Sequence, residues 1–352
     1  MDTARLDPIL IAFCALFGAV VGSFLNAVIY RLPRNISLLR ERRSFCPRCR
    51  AQIAWYDNIP VLSYLLLLGR CRRCRGRIAP RYLLVELLTA GLFAALYWHV
   101  RVLNAPAEGP GAAYPDLLWG RPGWAHLGVY LVLTAGLICA AFTDIEDYEE
   151  TAEEKAETAR RVKELAAQGK KLEDEVGPAV YGIIPDEVTV GGLVLALPLA
   201  VALPEVHWDM LRLTPWPRLD AAFDSALGAV AGAGLTYGMG VFGKVFFGKQ
   251  AMGFGDVKLM GMIGALLGWK AALMVFFVAP VFGAIFGIVA RLISGERYVR
   301  YGPFLAGAAV LIVFFEPVLS AFVGAALSPG ASPEFHHRVP FLAMPERHWG
   351  PW

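Results

Sequence analysis

Charge is scarce in this chain. Only 18% of its 352 residues are Asp, Glu, Lys or Arg, against about 25% in soluble domains. That shortage excludes a disordered chain and a coiled coil. Cysteine is also sparse, with six residues, too few for a small disulfide scaffold. Histidine offers little either: the six present include His336 and His337 in the tail, and none has metalloprotease spacing. No GxSxG nucleophile elbow and no HExxH zinc motif occurs, which removes the commonest serine and zinc hydrolase chemistries. What is abundant is apolar sequence. Hydrophobic residues make up 57% of the chain and mean hydropathy is +0.50. The composition is that of an all-α, polytopic membrane protein.

A helix crosses the hydrocarbon core with about 20 apolar residues. Eight stretches meet that expectation, at about 8–30, 83–100, 125–143, 183–203, 221–243, 256–269, 271–293 and 302–326. The sixth and seventh run together around Gly268, Trp269 and Lys270. Residues 31–82 interrupt the pattern with thirteen Arg against two acids, Glu41 and Asp57. Short Arg-rich loops stay in the cytoplasm. Fixing this loop inside places the loops at 144–182, 244–255 and 294–301 inside as well. The N-terminus and the tail from 327 then lie outside. GxxxG spacings such as Gly18/Gly22, Gly228/Gly232 and Gly234/Gly238 read as helix packing. The expected organisation is a first helix (1–30), a cytoplasmic loop (31–82), two helices (83–143), a charged segment (144–182), five helices (183–326) and an outer tail (327–352).

Cys14 and Cys139 fall inside apolar spans and read as packing residues. Cys46-Pro-Arg-Cys49 and Cys71-Arg-Arg-Cys74 are different. Two CxxC knuckles 21 residues apart form a zinc pattern. Four thiolates close a tetrahedral site, so the expected Zn2+ is structural and no catalytic metal is expected. The loop is too small and polar to fold on a core of its own, and metal binding would supply that stability.

Ionisable residues at membrane depth are expensive and so mark function by default. Two acidic groups meet the membrane at its inner face. One is Thr143-Asp144-Ile145-Glu146-Asp147, ending span 3. The other is Gly253-Phe254-Gly255-Asp256-Val257-Lys258, opening span 6. The glycines are expected to let the backbone bend and approach a substrate. Singly, Asp256 reads equally well as a helix cap and Asp144 as a solvated helix end. Together they suggest a two-carboxylate hydrolase. One carboxyl of such a pair is held protonated and polarises the scissile carbonyl, while the other activates water.

These pieces resemble the type IV prepilin peptidases, membrane aspartyl proteases of the GxGD type. The resemblance covers most of residues 9–320. It is carried by Gly22-Ser23-Phe24-Leu25-Asn26, Tyr30-Arg31-Leu32-Pro33, the two CxxC knuckles, Asn58-Ile59-Pro60-Val61-Leu62-Ser63-Tyr64 and Arg81-Tyr82 with Glu86. It continues through Asp144, Ile184-Pro185-Asp186, Gly253 to Leu259 and Tyr301-Gly302-Pro303-Phe304-Leu305. It implies a bacterial inner-membrane enzyme that removes the short basic leader of type IV prepilins or pseudopilins at the cytoplasmic face. It further implies N-methylation of the new N-terminus from S-adenosylmethionine. Asp144 and Asp256 take the catalytic roles, with Gly253, Gly255 and Lys258 as the motif around them. Cys46, Cys49, Cys71 and Cys74 take the zinc module linked to methylation. No GxGxxG signature occurs in 31–82, so the methyl-donor residues remain unassigned. Partners are the pilin substrates and membrane lipid, with no nucleic acid.

The chain departs from the family in one place. About 40 positions separate Asp144 from Pro185, where the family has a few. The inserted 149–175 holds nine acids and six bases. Thr151-Ala152-Glu153-Glu154 opens it with a capping-box pattern. The insert leaves Asp147 and Asp186 as competitors to Asp144. Other readings are a presenilin-like protease cutting within spans, an Asp-relay transporter, and a metal-binding scaffold. Against the transporter, no repeat relates the two halves.

Overall fold

The computed structural model describes residues 3–34, 36–38, 43–103, 124–145, 160, 184–206, 213–248, 252–294 and 300–327. Glu146, Asp147, the charged insert apart from Arg160, most of the outer loop and the tail beyond 327 lie outside the described residues. The described chain is helical. It runs α1 (Thr3–Arg31), a short α2 (Leu62–Leu66), α3 (Arg81–Tyr97), α4 (Trp124–Ile145), α5 (Asp186–Ala202), α6 (Pro217–Phe247), α7 (Phe254–Leu267), α8 (Trp269–Ser294) and α9 (Gly302–Leu327). Among the described residues the only β-pairing is two isolated bridges, Phe45 with Gln52 and Arg70 with Arg77.

Among the described residues, five stretches are long and apolar enough to cross a membrane: Asp7–Arg34, Arg81–Val100, Trp124–Ile145, Pro217–Phe246 and Trp269–Leu292. Helix α9, at 26 residues, also has the length of a span, and α7 does not. Helix α7 has 14 residues, about 21 Å at ~1.5 Å per residue, short of the ~30 Å core. It ends because Gly268 takes φ +89°, which separates it from α8. Hydropathy could not show this, since α7 is apolar for another reason. It is the centre of the molecule, with Leu259, Met260, Ile263 and Ala265 all buried against neighbouring helices. The outward faces of the long helices, by contrast, carry exposed apolar side chains such as Phe13 and Leu16 on α1 and Phe277 and Leu292 on α8. Those are the faces a bilayer would cover.

Helix α1 lies closely against α3. A Cβ on Gly18 would meet Thr89 O at 2.7 Å, and one on Gly22 would meet Glu86 Cα at 2.8 Å. Gly228 of α6 touches Gly264 of α7 backbone to backbone. These pairs serve packing as expected. A Cβ on Gly234 or Gly238 would meet nothing within 4 Å, so that pair packs nothing among the described residues.

The chain direction brings several helix ends together. Asn26 Nδ2 near the end of α1 donates to Tyr82 O at the start of α3 (2.9 Å). Leu25, Val28 and Ile29 of α1, Val85 of α3, and Ile138 and Cys139 of α4 form one cluster, with Val188 of α5 against it. At the opposite end, Tyr97 of α3 donates to Asp7 of α1 (2.9 Å) and packs on Trp124 of α4. The C-terminal ends of α1 and α4 and the N-terminal ends of α3 and α5 therefore share one face of the bundle.

Candidate active site and cysteine module

Asp144 sits in the last turn of α4 and Asp256 in the first turn of α7, 6% and 9% exposed. The two carboxylates are near enough to act on each other electrostatically. Asp256 also accepts the Gly253 N–H at 3.3 Å. It thus caps α7 while facing Asp144, so the cap and the pair are compatible, whereas Asp144, being buried, is not a solvated helix end.

The surroundings of Asp144 come from the start of α9. The Gly302 N–H bonds its carboxylate, and Arg300 Nη1 donates to its main-chain carbonyl at 2.6 Å. A Cβ on Gly302 would stand 2.8 Å from Asp144 Oδ2. Tyr301, between them, buries its hydroxyl with no hydrogen-bond partner among the described residues. Burial and the Asp256 charge push this phenol up to about 12. Ile184, 7% exposed, is wedged between the two halves of the site, within 3.3 Å of methyl positions on both Gly255 and Gly302. Tyr301, Gly302 and Ile184 are visible in the sequence only as motif letters without roles.

The motif glycines take backbone conformations open to any residue. Neither Gly253 nor Gly255 takes a positive φ. Gly253 is ordinary extended backbone at φ −77°, and Gly255 is helical with Ile184 filling the space a side chain would take. Lys258 turns away from the pair. Its Nζ meets Asp186 Oδ1 at 2.5 Å and tethers α7 to α5. Asp186 is 62% exposed in its side chain, so the burial that marks Asp144 and Asp256 is missing there. Asp147 lies outside the described residues.

The four loop cysteines converge. All four Sγ atoms lie within 4.8 Å of one another, Cys46 and Cys74 at 4.0 Å, and none forms a disulfide. A ZnS4 tetrahedron with ~2.3 Å bonds has edges of about 3.8 Å, so the donor set fits. The two knuckles are copies of one turn. Cys46 N–H donates to Ala51 O and Cys71 N–H to Gly76 O, both at 2.9 Å. Arg50 and Arg75, each one residue past the second cysteine, take φ +57° and +55°. Turns of this kind aim backbone N–H groups at sulfur. Bonds from Cys74 and Arg73 N–H pull the Cys71 thiol down to about 7. Cys49 receives the Ala51 N–H, yet lost hydration and the other three sulfurs push it up to about 11. A cation is what lets such a cluster shed all four protons.

Two family models match the chain. The Bacterial Peptidase A24 N-terminal domain matches residues 16–100, and the Type IV leader peptidase family matches residues 179–288. Asp256 and the four loop cysteines fall within the matches, and Asp144 falls between them. A curated relative from Myxococcus xanthus is 33% identical over 84% of this chain, which spans 66% of the relative. One from Neisseria gonorrhoeae is 30% identical over 86% of this chain and 90% of its own length. One from Aeromonas salmonicida is 30% identical over 83% and 86%. Each is named a prepilin leader peptidase/N-methyltransferase. No solved structure matches the chain. On these matches the chain belongs to the type IV leader peptidase family.

Proposed function

We propose that this chain is a multi-pass inner-membrane enzyme that removes the leader of type IV prepilins or pseudopilins and N-methylates the new N-terminus. The observation that carries the peptidase half is the burial of Asp144 and Asp256 together at adjoining helix ends. Two carboxylates so placed cannot both ionise cheaply, so they hold one proton between them. The ionised carboxylate takes a proton from water, and the protonated one donates to the scissile carbonyl oxygen. Water oxygen then bonds to the carbonyl carbon. The tetrahedral species collapses as a proton passes to the leaving amine. Acid and base roles belong to the pair, not to one residue.

The Arg-rich loop 31–82 argues for a cytoplasmic location of the shared face, with both termini periplasmic. A pilin has its basic leader on that side and its apolar helix in the bilayer, so its leader junction would lie at the level of the pair. Zn2+ on Cys46, Cys49, Cys71 and Cys74 would be structural, fixing the loop. S-adenosylmethionine is the methyl donor that an N-methyltransferase of this kind consumes.

The deciding experiment is leader cleavage of a prepilin in liposomes. Asp144→Asn and Asp256→Asn should each lower kcat by about 10³-fold or more, while Asp186→Asn, which breaks an exposed pair, should stay within several-fold of wild type. Undiminished cleavage by Asp144→Asn would hand the first role to Asp147. Cleavage deep within a substrate helix, not at the leader junction, would favour the presenilin-like reading.

A further inference from the structure

We propose that Trp55 to Leu68, within the cysteine loop, is a membrane-surface element. Its apolar side chains lie among the acyl chains beside α3, and the arginines of the knuckle next to it take the phosphates of anionic phospholipid. This goes beyond the proposed function, since neither leader cleavage nor methyl transfer requires it.

The loop lies between two of the apolar spans, yet it carries large apolar side chains in the open. Trp55, Leu66 and Leu68 are 80%, 72% and 83% exposed, and Tyr56, Ile59, Leu62 and Leu65 are exposed too. Single apolar residues on a surface need no explanation, whereas a cluster rimmed by polar residues marks an interaction site.

The local structure holds these side chains out. Leu62, Leu65 and Leu66 fall on one side of α2 by their spacing. The other side is used within the loop. Ser63 Oγ donates to Tyr56 O and accepts the Ile59 N–H, both at 3.0 Å. Those bonds tie the short turn Trp55–Asn58 against α2. Val61 at φ +62° and Leu68 at φ +51° flank the two ends of α2. Bulky residues avoid that region and stay in it only where their surroundings over-determine it. The leucines are therefore presented by a built turn.

A second, independent observation gives the depth. The Val61 N–H donates to Glu86 Oε2 at 2.7 Å. Glu86 lies five residues into the Arg81–Val100 span, at most about 8 Å along α3 at ~1.5 Å per residue. Surface-lying amphipathic elements sink ~5–10 Å into the boundary between headgroups and acyl chains, so α2 starts within that layer. At the same level α3 exposes Leu84 and Leu87. The leucines of α2 are thus level with side chains that a span already offers to lipid.

Charge selects the lipid. Arg70 follows Leu68 by two residues, and Arg72, Arg73, Arg75 and Arg77 lie on the second knuckle, all exposed. Arg72 joins the two parts. It bonds both oxygens of Asp57 at 2.7 and 2.6 Å and lies over the Tyr56 ring. Asp57 is thereby neutralised, and the only other acid in 31–82 is Glu41. A basic rim beside an apolar, Trp-bearing centre suits an anionic lipid surface, with Trp at headgroup level. A pilin helix would also cover leucines, but its basic leader is repelled by this rim.

The test uses the full chain in nanodiscs of phosphatidylethanolamine and phosphatidylglycerol. A small share of the phosphatidylglycerol carries a diazirine on its acyl chain. Irradiation and peptide mapping by mass spectrometry then read which residues meet the chains. Wild type should be labelled within 55–68 as well as on the outward faces of α1 and α8, while 71–77 stays unlabelled. Leu65→Gln combined with Leu66→Gln should cut the 55–68 label at least about fivefold. Its α1 and α8 labels should stay unchanged, which shows that the variant is inserted and folded. Replacing all phosphatidylglycerol, probe included, by phosphatidylcholine should lower the 55–68 label about fivefold, the scale of one arginine at an anionic surface. Label confined to the spans overturns the element. Label that ignores headgroup charge overturns anionic lipid as the partner. A segment 55–68 that is unlabelled in these discs, and gains protection from hydrogen exchange only when prepilin is added, makes the pilin the occupant and overturns the proposal.

Discussion

Gly302 leaves no room for a side chain beside Asp144, since an added methyl would stand 2.8 Å from Oδ2 and 3.2 Å from Cγ. Gly302→Ala should therefore displace the carboxylate without removing it. A misplacement near 1 Å can cost about 10²-fold in rate, so kcat for leader cleavage should fall by about 10–10²-fold with unfolding behaviour close to wild type. Gly307→Ala, five residues on with nothing within 4 Å, is the control and should cleave normally. Tyr301 allows a second test at this scale. Its phenol is raised above the ordinary ~10, to about 12, so it stays protonated, a donor, throughout the working range. Tyr301→Phe should lower kcat by about tenfold or more and leave the alkaline limb of the pH–rate profile where it was. An alkaline limb that moved on removing the phenol would mean Tyr301 itself titrates there.

At the scale of elements, the cysteine loop and the aspartate-bearing helices separate. The loop's knuckles hold their own turns through Cys46–Ala51 and Cys71–Gly76 bonds, whereas Asp144 and Asp256 are set by α9 and Ile184. If the cluster holds zinc as proposed, Cys71→Ser, or chelation, should abolish zinc binding and lower methyl transfer at least tenfold. Leader cleavage should fall far less, which parallel assays of metal content, methylation and cleavage would check. The elements are unequally legible in the sequence. The knuckles are plain because ligand geometry forces CxxC spacing, and Asp256 because its neighbours in sequence are its neighbours in space. Asp144 is ambiguous because the charged insert moves it away from Ile184-Pro185-Asp186, while in space Ile184 still packs between Gly255 and Gly302. The length of α7 is hidden because a helix buried in protein and one facing lipid give the same apolar run. The bonds of Asn26 to Tyr82 and of Val61 to Glu86 are hidden too, since they join distant segments that share no spacing rule.

Across the whole molecule, the aspartate pair and the cysteine loop lie at the same face of the bundle. Asn26 and Glu86 stand at the same ends of α1 and α3 that meet α4 through Val28, Val85 and Ile138, and Asp144 closes that end of α4. On the proposed function, a pilin cleaved at the pair keeps its helix in the bilayer, and its new amine has only to move laterally from α4 toward α1 and α3. No second crossing or release is required. The order is set by chemistry, because the acceptor amine does not exist until the leader peptide bond is broken. Asp256→Asn supplied with prepilin should yield neither cleaved nor methylated product. The same variant supplied with pilin whose leader has already been removed should methylate it at a rate within several-fold of wild type, since Asp256 stands on α7, outside the cysteine loop. Mass spectrometry of the pilin N-terminus distinguishes the species. Loss of methylation on the pre-cleaved substrate, in a folded variant, would mean that the two reactions share the aspartates.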